Sequence, residues 1–466
     1  MNTFALALRN LLRNQRRSLM TLFAMVLGLM AVLLFGGYIK DLTYGLQTDF
    51  VTRTGHLQLQ RKGYYLYGSG NPAAYGIPGY QAVLAAVKSD PVLAPMLVVA
   101  TPTLQFGGIG GNFAAGVSRT IYAIGTVVED EERMLEWNDY GLPELRRPFT
   151  LAGTAADAAV IGTGVARVLQ LCGALNVPNC PESPEPASAA KGAALPDDIA
   201  ALAVSSRAPG PAASSANPSR IEILAASAHG APNVAAVNVV RAEFQGVKEV
   251  DDVFVALHLA QAQKLVFGSS PPQVTAIALQ LRHTAQIPQA RNRVEAILAT
   301  SLKDHPLEVL DYETLNPFYG QTQSMFAAIF GFMSVLIGAV VLFTISNTMS
   351  MTVVERTVEI GTVRALGLRR RGIRQMFLAE AVVLGSAASV LGVAMALATA
   401  WAINHVGLTW TPPGRIEAVP LTVRVAGEYL MMLGSGVALV VVASLSALLP
   451  ATRASRMNIV DALRHV

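Results

Sequence analysis

Charged residues are scarce in this chain. Asp, Glu, Lys and Arg make up 14% of its 466 residues, whereas hydrophobic residues make up 52%. A soluble domain ordinarily carries about 25% charged residues. This composition excludes a wholly water-exposed protein and predicts that part of the chain lies in lipid.

Recognisable catalytic and nucleotide-binding motifs are also missing. The seven histidines are scattered, and no HExxH, CxxC or G-x-S-x-G occurs. VIGTGVAR (160–167) begins like a dinucleotide-binding loop, but Arg167 stands where the third glycine belongs, which favours a plain strand-to-helix turn. FGGIGGN (106–112) lacks the Lys-Ser/Thr of a phosphate-binding loop. We therefore predict that this chain is not an enzyme by itself, holds no metal or cofactor, and takes energy for any work from a partner.

Four charge-free runs are long enough to cross a bilayer: residues 18–39, 314–354, 381–414 and 429–449. About 20 helical residues cover the ~30 Å hydrocarbon core, and none of the runs shows the polar stripe of a buried soluble helix. A signal peptide is the alternative for the first run, but its apolar part is longer than a typical h-region and no A-x-A site follows it. The runs predict four transmembrane helices.

Arginines set the predicted orientation of these helices. The N-terminal segment, the connection between the second and third runs, and the C-terminal segment carry 13 arginines against three acids, a net charge of +10 in a chain of +4. The positive-inside rule places these three segments in the cytoplasm. Aromatic residues near the opposite helix ends fit an interfacial belt; they are Tyr38, Phe318, Tyr319, Trp401, Trp410 and Tyr429.

Residues 40–316 then form one large extracytoplasmic domain with mixed patterns. GHLQLQ (55–60), TIYAIGTV (120–127) and VTAIALQL (274–281) are typical of strands, whereas YQAVLAAVKS (80–89), GVARVLQL (164–171) and ARNRVEAILATSL (290–302) are typical of helices. The predicted fold class is an α+β integral membrane protein with four transmembrane helices and a large mixed α/β extracytoplasmic domain between the first two. Residues 181–219, rich in Pro, Ala and Ser, predict a flexible insertion.

The chain has two cysteines, Cys172 and Cys180, both in this domain. A position outside the cytoplasm permits a disulfide between them, which would pin the base of the insertion. Two free thiols are the alternative.

The stretch VVERTVEIGTVRALGLRRRGIRQMFLAE (353–380) collects charge between two apolar runs. Its first half predicts a short helix of mixed charge that ends at Gly367. Nucleic-acid binding is disfavoured because the acidic side chains would face phosphates. Contact with anionic lipid and fixing of topology explain the second half, so we predict membrane-anchoring roles for Arg369, Arg370, Arg371 and Arg374.

Lipid contact does not explain the first half, which strongly resembles the signature of the FtsX-like/MacB-type permeases, including the lipoprotein-releasing LolC/LolE group. That signature is roughly E-R-x-x-E-I-G-x-x-R-A-[IL]-G followed by F-L-x-E. The matching residues are Glu355, Arg356, Glu359, Ile360, Gly361, Arg364, Ala365, Leu366, Gly367, Phe377, Leu378 and Glu380. Leu368, where a small residue is frequent, is a minor departure. ALRNLLRNQRRSLMTLFAMVLG near the start and LLPATRASRMNIVDALRHV at the end are similar to the family's first helix and close.

The resemblance implies a pair of permeases bound to two ATPase subunits that carry ATP and Mg²⁺. The family's short cytoplasmic helix fits a groove on the ATPase, and this role would fall on Glu355, Arg356, Glu359, Ile360, Gly361, Arg364, Ala365 and Gly367. The second permease is an identical or a different copy, and a periplasmic or outer-membrane protein is a further candidate partner. Gly331, Gly338, Gly385 and Gly392 offer close-packing surfaces, either between the two copies or within one subunit.

The predicted function is the permease subunit of an ABC transporter in the bacterial inner membrane, which exports or extracts lipoprotein or another amphipathic substrate. A non-transporting relay that activates a periplasmic enzyme is the alternative, and a membrane protein without any ATPase is a third reading. The expected segments are a cytoplasmic amphipathic helix (1–17), spans at 18–39, 317–352, 375–404 and 429–449, a periplasmic domain (40–316), a cytoplasmic helix and loop (353–374), a short periplasmic loop (405–428) and a cytoplasmic tail (450–466).

Overall fold

A computed structural model describes residues 15–113, 115–142, 149–178, 180, 218–227, 230–411 and 418–457. The predicted amphipathic helix (1–17), the insertion (181–219) and the tail (450–466) lie mostly outside the described residues. The chain divides into two compact units. One contains the long helices, and the other, which includes Gln47–Pro317, contains a mixed sheet.

The described residues form fourteen α-helices and eleven strands. The helices are α1 (Gln15–Thr54), α2 (Tyr64–Tyr67), α3 (Tyr80–Lys88), α4 (Val128–Leu135), α5 (Thr163–Val168), α6 (Cys172–Leu175), α7 (Lys248–Asp251), α8 (Leu259–Phe267), α9 (Ile287–Thr300), α10 (Tyr312–Leu315), α11 (Pro317–Glu355), α12 (Thr357–Ala365), α13 (Arg370–Val406) and α14 (Tyr429–Arg456). The strands are β1 (Leu57–Arg61), β2 (Leu97–Asn112), β3 (Val117–Thr126), β4 (Ala158–Gly162), β5 (Arg220–Ala226), β6 (Pro232–Glu243), β7 (Phe254–His258), β8 (Ala276–Leu281), β9 (Leu307–Asp311), β10 (Thr409–Trp410) and β11 (Val419–Pro420).

Four described helices, α1, α11, α13 and α14, are long and apolar enough to cross a membrane. Their ends do not coincide with the ends of the apolar runs that predicted them. Helix α1, for example, runs on through Lys40 and Asp41 to Thr54. A charge ends the stretch that favours lipid, but Lys and Asp do not by themselves end a helix.

Small residues bring the membrane helices into close contact. A Cβ atom added to Gly385 in α13 would lie 3.2 Å from the Ala443 Cβ in α14, and one added to Gly392 would lie 2.9 Å from the Leu29 side chain in α1. Gly331 and Gly338 in α11, in contrast, have open space around them. The first two glycines therefore serve packing within this chain, as small residues do between membrane helices.

The second unit is built on a nine-stranded sheet with the order β3-β7-β4-β6-β5-β2-β8-β1-β9. Its long strand β2 pairs with β8 through residues 97–103, and with β3 and β5 through its second half. The pairing of β2 with β3 closes six of the strands, β2-β3-β7-β4-β6-β5, into a ring. Pairs β3–β7 and β4–β6 are parallel, so the sheet is mixed.

The sheet unit encloses a core of aliphatic residues from nearly every strand, among them Leu59, Leu104, Ile161 and Leu279. The alternating GHLQLQ pattern predicts one buried and one exposed face for β1. The strand forms, but Gln58 and Gln60 are as buried as the leucines, and the Gln60 amide donates to Gln58 Oε1 at 2.9 Å. Helices and strands cover both faces of β1. The Gln58 amide donates in turn to the Thr54 carbonyl at 2.9 Å, whereas Gln60 Oε1 has no hydrogen-bond partner among the described residues.

The glycines of VIGTGVAR mark the turn from β4 into α5, as the sequence predicts. The buried carboxylate of Asp251 accepts hydrogen bonds from the Thr163 and Gly164 amides, both at 2.8 Å, and from the Thr163 hydroxyl at 2.6 Å. A Cβ atom at Gly162 would collide with the Asp251 carbonyl oxygen. Gly162 therefore allows the Asp251 backbone to approach closely. The Thr163 and Gly164 amides, which in a phosphate-binding loop would bind a phosphate, bind the Asp251 carboxylate instead.

A buried imidazole lies where β1 meets β8. His56 Nδ1 accepts from the Leu281 amide at 3.0 Å, so the neutral ring carries its proton on Nε2, 3.3 Å from the Thr284 hydroxyl. The ring packs edge-on against Trp137 with 4.9 Å between centroids. Burial lowers the pKa of His56 to about 4, against a smaller opposite effect of the Asp139 carboxylate.

We expect Asp251→Ala to lower the free energy of unfolding by about 2–4 kcal/mol, because it leaves several buried donors unsatisfied. The measurement is urea unfolding of the full chain in detergent, followed by tryptophan fluorescence. Asp252→Ala is the matched control. The Asp252 carboxylate pairs with Lys248 and Arg119 at a partly exposed position, so this substitution should cost less than about 1 kcal/mol. Equal losses in the two variants would contradict this account of the turn.

We also expect acidification from pH 7 to 4.5 to destabilise the sheet unit through His56. Between pH 6.5 and 4 the unfolded state binds the imidazole proton and the folded state does not, so stability falls as pH falls, by at most about 3 kcal/mol. His56→Gln should flatten the slope of unfolding temperature against pH over this range, whereas His305→Gln should keep it. An unchanged slope in His56→Gln would assign the acid sensitivity to other groups.

Candidate functional site

The segment from Val353 to Arg374, here the α12 segment, connects α11 to α13. Arg356 has dihedral angles of −98° and 15°, which end α11 and begin α12 at a bend. Gly367 has a φ of +98°, and its amide donates to the Arg364 carbonyl at 3.0 Å. The predicted helix stop at Gly367 is confirmed, since a positive φ at this position favours glycine. The Gly367 turn separates α12 from α13.

A buried ion pair attaches the α12 segment to α13. The Arg356 guanidinium lies 3.3 Å from the Glu380 carboxylate, and the two side chains are only 8% and 4% exposed. Burying either charge alone would be costly, so each charged side chain stabilises the other in its buried position. Arg356 belongs to the first half of the sequence signature and Glu380 to the second, so the ion pair joins the two halves.

Two further arginine contacts attach the segment to α1 and to the end of α14. Arg17 near the start of α1 forms a two-pronged bond with Glu355, with nitrogen–oxygen distances of 2.5 and 2.6 Å. Arg364 donates to the carbonyl oxygen of Met457, directly after α14. The ends of three long helices therefore converge on α12 through side chains.

Helix α12 has one buried and one exposed face. Ile360 is 3% exposed and packs in the apolar core of the membrane unit, and Thr357 and Gly361 are buried beside it. Val358 and Leu366 on the opposite face are 42% and 84% exposed, with Glu359 exposed between them. The exposed face of α12 therefore presents two apolar side chains and a carboxylate.

The predicted interface residues divide between these faces. Glu355, Glu359, Ala365 and Gly367 are exposed; Arg356, Ile360 and Gly361 are buried; Arg364 is half-buried. The predicted anchoring residues Arg369, Arg370, Arg371 and Arg374 are all exposed at the start of α13. Cys172 and Cys180 are joined by a disulfide with their Cα atoms 6.2 Å apart, immediately before the predicted insertion.

Sequence reasoning assigned no contact to Arg17 or Met457. Arg17 counted there as one of several topology-setting charges, and its partner Glu355 lies 338 residues away. Nothing local in the sequence distinguishes Arg17 from Arg16. Among the described residues, no three His, Cys, Asp or Glu side chains are grouped so as to hold a metal ion.

The α12 segment lies within the part of the chain that matches a known protein family. Residues 331–459 match the FtsX-like permease C-terminal domain family. The chain is 27% identical over 229 residues to the macrolide export ATP-binding/permease protein MacB of Bdellovibrio bacteriovorus, covering 47% of this chain and 32% of that protein. It is 30% identical over 206 residues to the uncharacterised ABC transporter permease YvrN of Bacillus subtilis, covering 43% and 46%.

A third relative is the pyoverdine export ATP-binding/permease protein PvdT of Pseudomonas syringae. The identity is 31% over 219 residues, which cover 45% of this chain and 29% of that protein. This chain thus covers less than half the length of each of these three relatives.

We expect Arg356→Met to lower the free energy of unfolding by about 3–5 kcal/mol, because the Glu380 carboxylate stays buried without that guanidinium. The double variant Arg356→Met/Glu380→Met should recover most of the loss, and a double-mutant cycle from thermal unfolding in detergent measures the coupling. Arg371→Met removes an exposed charge and should change stability little. A double variant as unstable as the single one would show that the pair does not govern the position of α12.

Proposed function

We propose that this chain, as a permease of the FtsX/MacB-type family of ABC transporters, couples ATP hydrolysis by a separate ATPase subunit to conformational change outside the cytoplasm. ATP and Mg²⁺ bind the ATPase subunit in this proposal, since this sequence has no phosphate-binding loop.

The observation that carries the proposal is the two-faced α12. Its buried face, with Ile360, belongs to the core of the membrane unit, while Val358, Glu359 and Leu366 are exposed. A partner that binds the exposed face can push α12 without unfolding it. The Arg356–Glu380 and Arg17–Glu355 pairs then pass the displacement to α13 and α1.

This division refines the predicted interface. Direct contact with the ATPase falls to Glu355, Glu359, Ala365 and Gly367, together with Val358 and Leu366. Arg356, Ile360, Gly361 and Arg364 position the helix from behind. Arg369, Arg370, Arg371 and Arg374 meet anionic lipid headgroups at the start of α13, where positive charge is favoured.

The proposed setting is a bacterial inner membrane. The arginine-rich segments, including the α12 segment, face the cytoplasm according to the positive-inside rule, and residues 40–316 face the periplasm. Two copies of the permease, identical or different, bind a dimer of ATPase subunits. A periplasmic or outer-membrane protein is a further partner in this arrangement.

The proposed substrate is a lipoprotein or another amphipathic molecule handled on the periplasmic side. Support for export comes from the relatives MacB and PvdT, which are named for macrolide and pyoverdine export. The alternative is a relay in which the same motion activates a periplasmic enzyme. The large sheet unit favours neither, since it could bind a substrate or a protein; accumulation of a substrate in a depleted strain would decide for export.

We expect Glu359→Lys to abolish stimulation of the copurifying ABC ATPase in proteoliposomes, since it reverses a charge on the exposed face of α12. Chain stability should change little, because the side chain is exposed. Glu132→Lys, the same substitution at an exposed position of the sheet unit, is the control and should leave the ATPase rate unchanged. Normal stimulation by the Glu359→Lys protein would count against the ATPase contact.

A further inference from the structure

We propose that residues Leu421–Glu428, here the 421–428 clamp, hold α1 and α13 together at the end of the membrane unit remote from α12, and that this clamp transmits motion of α13 and α14 to α1. The inference rests on the proposed function, because transmission has meaning only in a protein driven by a partner ATPase. It concerns residues that the family signature does not include.

The clamp touches the backbone of α1 directly. The Arg424 amide donates to the Gly37 carbonyl at 3.1 Å. A Cβ atom at Gly37 would lie 2.8 Å from the Arg424 carbonyl oxygen, so glycine permits the approach. Val425, next along the clamp, is fully buried in the core of the membrane unit. The clamp is therefore a packed part of the helix bundle rather than a loose connection.

Charged and aromatic side chains then fix the clamp along α1. Asp41 accepts from the Thr422 hydroxyl and lies 3.7 Å from the Arg424 guanidinium. That guanidinium lies over the Tyr44 ring, 5.6 Å from its centroid, and the Tyr44 hydroxyl donates to Glu428 at 3.0 Å. Asp41 and Tyr44 are three residues apart and share a face of α1. Four polar contacts thus determine which turn of α1 the clamp engages.

The clamp is also bound to α13. The side chain of Asn404 donates to the Val423 carbonyl at 3.1 Å and accepts from the Val423 amide at 2.8 Å. These two bonds imitate a pair of strand hydrogen bonds and hold the clamp against the last turn of α13. Glu428 leads directly into α14 at Tyr429. One eight-residue segment therefore contacts α1, α13 and α14.

The same three helices are held at their other ends by the α12 segment. Along α1, Asp41 lies 24 residues from Arg17, or ~36 Å at 1.5 Å per residue, close to the thickness of a bilayer core. A helix held at one end alone could tilt or slide when its neighbours move. With attachment at both ends, α1, α13 and α14 move as one body, and displacement of α12 reaches the turn of α1 that carries Tyr44.

Stability alone does not explain the charged residues. The Asp41 and Arg424 side chains are 19% and 27% exposed, and ion pairs at such positions contribute little to folding. The Asp41–Arg424 ion pair instead fixes the register of the clamp along α1, because Asp41 distinguishes one turn of α1 from its apolar neighbours. Asp41 and Arg424 are accordingly positioning residues.

The test uses a switchable link in place of the Asp41–Thr422 contact. In a Cys172→Ser/Cys180→Ser background, the pair Asp41→Cys/Thr422→Cys is reconstituted in nanodiscs with the copurifying ABC ATPase. Two quantities are measured with and without ATP and vanadate: the ATPase rate, and hydrogen exchange of β1–β9 by mass spectrometry. The control is Asp41→Ser/Thr422→Ser, which loses the contact and cannot form the link.

We expect the reduced cysteine pair to hydrolyse ATP within twofold of the parent background, while its nucleotide-dependent change in sheet exchange falls at least fivefold. Oxidation should restore that change in the cysteine pair and leave the serine control unrestored. Fully retained exchange changes in the reduced pair and in the serine control would overturn the clamp alone. A wild-type chain that gives no ATPase stimulation would overturn the proposed function, and the clamp's role with it.

Discussion

The cost of burying a charge is the constraint on which the membrane unit depends. Arg356 and Glu380 lie 3.3 Å apart with almost no exposed surface, so removing either charge leaves the other buried without its ion-pair partner at that distance. That requirement fixes the bend between α11 and α12, because Arg356 is the residue at which the bend occurs. The outward face of α12 follows from it, since the helix can present Val358 and Leu366 only while Ile360 stays in the core.

The signature residues therefore divide into a buried set and an exposed set, and their order along the sequence does not separate the two. Arg356, Ile360 and Gly361 are buried, whereas Glu355, Glu359 and Ala365 are exposed. The buried residues fix where α12 lies, and the exposed residues lie at its surface, Glu355 among them in its ion pair with Arg17. Under the proposed coupling, a substitution in either set would lower ATPase stimulation, but only one in the buried set should also destabilise the isolated chain.

The sequence was informative wherever the signal was local. Four apolar runs predicted four long helices, GHLQLQ predicted β1, and Gly367 predicted the end of α12. Burial of Gln58 and Gln60 was not predictable, because it depends on what covers the second face of β1. Nor were the Arg17–Glu355 and Asp41–Arg424 pairs, because residues more than 300 positions apart carry no local sign of their partners.

The four long helices do not share the packing equally. Only 6% of the most apolar 18-residue stretch of α11 is buried, against 28–33% of the corresponding stretches of α1, α13 and α14. Gly331 and Gly338 on α11 have open space around them. Side chains of the α12 segment nevertheless reach α1, α13 and the end of α14. In the proposed coupling, a push on α12 enters the closely packed helices through these ion pairs. Helix α11, attached to α12 through the bend at Arg356, has fewer packing contacts to restrain it when α12 is displaced in this way.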